Sequence, residues 1–472
     1  MKNEKNKILS TTYAKLSEIL ILVSSQIIIV PLILSKWDPN MLGIWYILLS
    51  TTQLIQLLNL SQHSYLYNKA FILNKKNKKQ INKDIFSAIP ISIVISLLII
   101  LLLLISNKYN FFSNILNIDQ SFSQSFNLSI IYLSFVYLTT FSYGTFFYGP
   151  FSVYGYYDTY AWLKVVRIFC VSFLPSISIY LGADFILAVY VLIFSEIFSF
   201  IIFAIYSIKF FKKLSFKIYK PNFEDGISDF ISSLLIFINF VIEYIKNIGF
   251  RIIVASIFSP LVVSYFVTTR IITNFIKYII DGLRDPFHPK LMNSLKKKDE
   301  KNVLLIIEFY WHISFVLLCP LAIILQIVLP YIFEIWTYDK IVFMPFLFSF
   351  LMMSVLINSI YIPFDMILKG LNKNKAILQI AIVAICILFF LIVFFIDSDS
   401  FVFIGLVILI SEIFVFIGLS YFTIKILLKR KINFNFSLYF LIVLNTINYC
   451  AILFVIAYFN INKEIFIYFI FS

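Results

Sequence analysis

"DGLRDPFHPKLMNSLKKKDEKN", residues 281–302, is a polar island between two long apolar runs. It holds Arg284, Lys290, Lys296, Lys297, Lys298 and Lys301, together with two prolines and His288. Three readings compete: a nucleic-acid-binding loop, a linker to a soluble domain, or a loop between membrane helices. The surroundings decide between them. Of the 472 residues, 61% are hydrophobic, 19% aromatic and only 13% charged, against about 25% charged in an ordinary soluble domain. Apolar stretches of about 20 residues recur throughout, each long enough to cross a hydrocarbon core of roughly 30 Å as a helix. A backbone in lipid must satisfy its own hydrogen bonds, and these runs lack the alternation of barrel strands. The expected class is an all-α polytopic membrane protein with about 12–14 transmembrane helices.

Thirteen spans are read at 10–34, 41–66, 85–106, 127–149, 158–181, 183–208, 228–256, 261–283, 302–329, 341–365, 374–396, 400–424 and 436–459. The closing EIFIYFIFS is too short to cross straight. With the N-terminus in the cytoplasm, segments 1–9, 67–84, 209–227, 281–301, 366–375 and 425–435 fall inside and hold 27 Lys and Arg. The opposite side holds four: Lys36, Lys108, Lys340 and Lys463. Cytoplasmic loops carry the basic excess, so the asymmetry predicts an inner-membrane protein with a cytoplasmic N-terminus. The 281–302 island is then one cytoplasmic loop among several. The net charge of +14 is spread over all of them, and nucleic acid is not an expected partner. No loop is long enough for a soluble domain. MKNEKNKILSTTYAK reads as a basic lead-in to a retained first helix. Cys170, Cys319, Cys386 and Cys450 lie in apolar runs without CxxC spacing, so neither a disulfide framework nor a metal site is expected.

A shift of 221 residues superposes Ser35 on Ser256, Pro39 on Pro260, Thr52 on Thr273, Ile55 on Ile276 and Lys69 on Lys290. It also superposes Lys75 and Lys76 on Lys296 and Lys297. Both copies read as helix, outer turn at a proline, helix, basic loop. Six spans per copy give both the same orientation, which predicts two parallel six-helix bundles. The expected domains are an N-lobe over 1–220, a C-lobe over 221–430 and extra membrane segments over 431–472. "LSKWDPNMLGIWYILLSTTQLIQLLNLSQHSYLYNKAF" resembles the first helical hairpin of polysaccharide exporters, the O-antigen (Wzx-type) branch of the MATE-like multidrug/oligosaccharidyl-lipid/polysaccharide (MOP) flippase superfamily. Gly43 and Trp45 open the second helix there, with a polar break and a Lys-rich loop after it. "PKLMNSLKKKDEKNV", "VLPYIFEIWTYDK" and "MILKGLNKNKAI" are similar to later elements of that family. Asn59-Leu60-Ser61 stands where the family often has Asp-Leu-Gly. The resemblance implies a V of two lobes and alternating access. The implied cargo is an undecaprenyl-diphosphate-linked oligosaccharide, with inner-membrane lipids, H+ or Na+ and other polysaccharide-assembly membrane proteins as partners. No cofactor is implied.

Charges within spans are expensive and mark functional sites. Arg270 lies near mid-membrane, and Lys277, Asp281 and Arg284 follow within one stripe at about 100° per residue. Glu243 and Lys246 share a helix face, with Arg251 two turns beyond Glu243. Lys164 and Arg167 sit near the inner surface. The functional reading makes Arg270, Lys277, Lys246, Arg251, Lys164 and Arg167 ligands of a diphosphate, with Arg gripping bidentately and Lys as a point charge. The plainer reading is a structural Glu243–Lys246 pair and lysines snorkelling to headgroups. Glu18, Glu196, Glu243 and Glu412 lie inside spans, where a lone carboxylate stays protonated until paired. That property suits H+ or Na+ coupling, and equally a neutral acid bonding a neighbouring helix.

Enzyme signatures fail. The residues five after His63, His288 and His312 are Asn68, Asn293 and Leu317, so no HxxxxD motif exists. Asp397-Ser398-Asp399 reads as a helix-connecting turn, and no Walker A motif is present. A polymerase or ligase would need a large periplasmic loop. A multidrug or small-cation antiporter would line its cavity with carboxylates, whereas the second-half stripe is basic.

Overall fold

The computed structural model describes residues 2–73, 77–141, 153–214, 219–297, 299–371, 373–395 and 402–461. The 397–399 turn, the closing EIFIYFIFS, residues 142–149 of the fourth span and the side chains of Asp281 and Arg284 lie outside the described set. Among the described residues every regular element is a helix. The first three long ones are α1 (Lys2–Leu34), α2 (Pro39–Leu73) and α3 (Lys78–Lys108). The short α4 (Phe111–Ile115) precedes α5 (Gln120–Val136), which continues as a π-turn over Tyr137–Phe141. Next come α6 (Tyr157–Tyr180), α7 (Phe185–Leu214) and α8 (Phe223–Tyr244). A π-turn over Ile245–Gly249 joins α8 to α9 (Phe250–Ile257), and α10 (Pro260–Lys297) comes after it. The remainder is α11 (Glu300–Ile313), α12 (Cys319–Thr337), α13 (Pro345–Gly370), α14 (Asn374–Phe394), α15 (Phe403–Lys429) and α16 (Phe436–Ile461).

Eleven helical stretches among the described residues are long and apolar enough to cross a membrane. The 38-residue α10 is not one of them. Thr268, Thr269, Arg270, Thr273, Asn274 and Lys277 make it too polar. The 281–302 island, expected as a loop, is instead helical through Lys297. Leu291 and Leu295, one turn apart, are fully buried, so the segment continues as an amphipathic helix rather than unravelling in water. The break comes at Asp299. Its carboxylate caps α11, accepting from the Asn302 side chain at 2.6 Å and the Asn302 backbone N–H at 3.2 Å. These bonds hold the Asp299 carboxyl below its ordinary pKa.

The chain forms two compact units, Met1–Ser264 and Tyr265–Ser472. The first takes in α8 and α9, which the sequence alone assigns to the second lobe. α8 lies along α2 and α3. A Cβ on Gly226 would stand 2.3 Å from the Ser87 carbonyl oxygen, so glycine is what lets α8 reach α3. Trp37, Trp45 and Phe185 stack edge to face at the proline-turn end of this unit, and the Trp37 indole N–H donates to the Ala183 carbonyl at 3.1 Å. In the second unit α13 is the central helix, with α15 and α16 against it. There Trp311 donates to the Ile360 carbonyl at 3.1 Å. In lipid such packing and buried hydrogen bonds do the work that water-driven burial does elsewhere.

Candidate functional site

The most polar membrane-length helix is α10. Arg270 is 9% exposed, and its guanidinium carbon lies 5.4 Å from the ring centroid of Phe266, one turn earlier. Around it Thr268, Thr269 and Thr273 are buried. Thr269 donates to the Tyr265 carbonyl at 2.8 Å and Thr273 to the Arg270 carbonyl at 3.1 Å. The Thr269 and Thr273 hydroxyls are satisfied within their own helix, whereas the buried Thr268 Oγ1 has no hydrogen-bond partner among the described residues; Arg270 supplies the charge at this level. Lys277, two turns on, is half-buried.

The second group sits where α8 becomes α9. Glu243 is exposed, and Lys246 is half-buried inside the π-turn. The extra residue of a π-turn rotates α9 about its axis relative to α8. Arg251 beyond it lies over the Tyr46 ring, 5.4 Å from the centroid. The Tyr244 hydroxyl before it donates to the Ser50 carbonyl. Arg251, a phosphate ligand on the sequence reading, is therefore directed at an aromatic face of α2, a cation–π arrangement.

On α6 the structure joins residues to which the sequence assigns separate roles. Arg167 grips Glu196 of α7 with Nε at 2.8 Å from Oε2 and Nη2 at 2.6 Å from Oε1. Glu196 is 1% exposed. A bidentate pair of this kind gives the buried carboxylate a half-buried cation on both of its oxygens. Lys164 donates to Glu18 Oε1 at 2.7 Å, and Lys15 stands 3.6 Å from Oε2. In the second unit Glu412 of α15 accepts from the Tyr361 hydroxyl, which itself accepts from Asn358 Nδ2 at 2.6 Å.

One cluster escapes the sequence reading. Lys69 at the end of α2 donates to both carboxylate oxygens of Asp229 at 2.9 Å and stands 3.2 Å from Asp84 Oδ2. Gln80 donates to the other Asp84 oxygen at 2.9 Å. Both aspartates are 4% exposed. The three charges come from α2, α3 and α8, and the Asn222 backbone N–H donating to Ser87 Oγ at 3.0 Å completes the clamp. By sequence Lys69 counts only as a loop cation. The signal available is an aspartate, Asp229, at the inner end of an apolar span. The polar run on α2 is also easily underrated. Gln56, Asn59, Gln62 and His63 are all buried, with Asn59 donating to Ser96 Oγ at 3.0 Å. Among the described residues no group of His, Cys, Asp and Glu is arranged to hold a metal ion.

No sequence-family profile and no curated protein matches the chain. Its fold does match solved structures. It aligns with the lipid II flippase MurJ in an inward closed conformation at TM-score 0.66 and 12% identity, over 96% of this chain and 99% of that one. It aligns with an inward-facing multidrug resistance MATE family transporter of the MOP superfamily at TM-score 0.62 and 12% identity, over 87% and 95%. The eukaryotic MATE transporter AtDTX14 aligns at 0.55 and 12%, over 90% and 96%. At such identity the likeness is one of fold: this is a multi-pass membrane protein with the fold of MOP-superfamily transporters.

Proposed function

We propose that the protein is a flippase that moves a lipid-linked oligosaccharide across the bacterial inner membrane by alternating access, with its N-terminus in the cytoplasm. The cargo class is an undecaprenyl-diphosphate-linked repeat unit of O-antigen or capsule. The observation that carries the reading is Arg270, a buried cation in the most polar membrane-length helix, with Lys277 two turns away. A diphosphate needs fixed positive charge, and a site shielded from water strengthens that attraction several-fold over a surface one. The cycle is read as movement of lobe 1–220 against lobe 221–430. H+ or Na+ coupling is assigned to the span carboxylates Glu243, Glu18, Glu196 and Glu412. Glu412 is favoured, because a phenol can follow a carboxylate through protonation without losing its bond.

The test is surface glycan on a deletion strain complemented with variants, with membrane protein level measured alongside. Arg270→Ala abolishes export at normal protein level. Arg270→Lys restores part of it, keeping charge and losing the planar fork, and Arg270→Glu is worse than Ala. Normal export by Arg270→Glu sinks the anionic-cargo reading. The Glu412–Tyr361–Asn358 group then favours the alternative, a multidrug or small-cation antiporter on the same fold.

A further inference from the structure

The lysine-rich ends of α14 and α15 line an open cavity of about 620 Å³ that the proposed transport cycle does not use. Its walls carry Lys373, Lys375, Gln379, Phe422, Lys425 and Lys429. All four lysines are exposed, and none forms a salt bridge among the described residues. Their placement is electrostatically costly. Lys425 and Lys429 stand one turn apart on α15, a spacing at which like charges destabilise a helix. Lys373 and Lys375 occupy the cap and first turn of α14, the end where the helix dipole favours anions over cations. Four ammonium groups lining one cavity concentrate positive charge there, a setting that attracts an anion.

The same two helices show what kind of anion. Away from the cavity, α14 exposes Ile382, Val383 and Phe390, and α15 exposes Phe414 and Ile417. α14 packs mainly on α15 and, less extensively, on α13, which leaves its outer face open to lipid. A basic cavity on the same two helices as bare apolar faces fits an amphiphile, with an anionic head and acyl tails, better than a soluble ion. Basic pockets between transmembrane helices on the cytoplasmic side bind diphosphate lipid headgroups in this way. The volume lies within the range of about 300–1,000 Å³ typical of ligand sites.

We propose that this cavity is a phospholipid site that holds the headgroup of an anionic lipid bearing two phosphates, of the cardiolipin class, with its chains along α14 and α15. The site is independent of the cargo the protein moves. The experiment is native mass spectrometry of the purified full-length protein, incubated separately with cardiolipin, phosphatidylglycerol, phosphatidylethanolamine and inorganic pyrophosphate. Wild type retains cardiolipin in preference to the other three. The quadruple variant Lys373→Ala/Lys375→Ala/Lys425→Ala/Lys429→Ala loses that retention at least tenfold. The corresponding four-Arg variant keeps it. So does a control quadruple at Lys209, Lys212, Lys213 and Lys220, basic positions in the other unit. If the alanine quadruple does not purify, the pairs Lys373→Gln/Lys375→Gln and Lys425→Gln/Lys429→Gln each lower retention at least threefold. Equal loss in the control quadruple overturns the proposal, because diffuse basic charge then explains binding. Phosphatidylglycerol retained as well as cardiolipin removes the two-phosphate claim. Pyrophosphate bound as tightly as cardiolipin makes this a site for a soluble anion and removes the lipid.

Discussion

α2 and α10 begin at the two prolines, Pro39 and Pro260, that the 221-residue shift superposes, yet they handle polarity differently. On α2 the buried polar groups are neutral. Ser50, Thr51 and Thr52 donate to carbonyls one turn back at 2.8–2.9 Å, and Asn59 and Gln62 reach α3. On α10 the positions matching Leu49 and Gln56 are Arg270 and Lys277. A hydroxyl in the membrane is satisfied cheaply by its own helix. A guanidinium is not, and it persists where something makes use of its charge. The same contrast recurs at the basic ends. Lys69 is clamped between Asp84 and Asp229, whereas its counterpart Lys290 is exposed. α10 therefore carries a buried cation ten residues past its proline, whereas α2 carries its cation in an ion-pair cluster near its C-terminal end.

The largest expected effect comes from erasing that asymmetry. Arg270→Leu gives α10 the residue of α2. Removing one partner of a desolvated charge contact costs about 2–5 kcal/mol, so export falls by roughly 30-fold or more at unchanged protein level. Leu49→Arg in the same background does not restore export, because position 49 belongs to the neutral helix. Rescue by Leu49→Arg would mean that the two copies are interchangeable, and the comparison would collapse.

Next in size is the ion-pair cluster. Lys69→Ala leaves two carboxylates buried without their cation, a change of about 3 kcal/mol in stability. The purified protein melts several degrees lower, while Lys290→Ala leaves the melting temperature unchanged. If instead Lys69→Ala melts normally and export speeds up or slows down, the cluster is a gate rather than a structural clamp.

Composition alone makes the helices legible, because lipid leaves few other structures available to apolar runs of this length. The prolines place the starts of α2 and α10. Where helices end is harder to read. Hydropathy falls at position 283, but Leu291 and Leu295 still bury a face, so α10 runs to Lys297. Pairing is the least legible. Arg167 and Glu196 both stand out as span charges, yet their partnership depends on the rotation of α6 against α7, which hydropathy does not encode. Lys69 and Asp229 are 160 residues apart and look like ordinary edge charges. A span charge can be found from sequence, but its partner across helices cannot.

The proline ends offer a smaller test. A Cβ on Gly43 would sit 1.8 Å from the Pro260 carbonyl oxygen, so Gly43→Ala pushes the starts of α2 and α10 apart. Overpacking of this kind costs about 1–3 kcal/mol. The counterpart of Gly43 is Ser264, which is buried but only donates to the Leu261 carbonyl at 2.7 Å. Ser264→Ala should melt close to wild type. Equal melting of the two variants would show that the close approach is not tight in solution.

The smallest effect belongs to the threonines that the two copies share. Thr52 and Thr273 are both buried and both bond their own helix, Thr52 to the Leu48 carbonyl at 2.9 Å and Thr273 to the Arg270 carbonyl at 3.1 Å. Replacing either by Val keeps the shape and removes only bonds within its own helix, a loss of about 1 kcal/mol. Melting of the two variants should therefore be nearly identical. Export is the discriminating readout. Thr273 lies one turn from Arg270, where the proposed cargo phosphates would sit, whereas Thr52 lies in the neutral helix. Thr273→Val should lower export two- to threefold with unchanged stability, and Thr52→Val should leave it intact. Equal export from both variants would limit the proposed phosphate contacts of α10 to its cations.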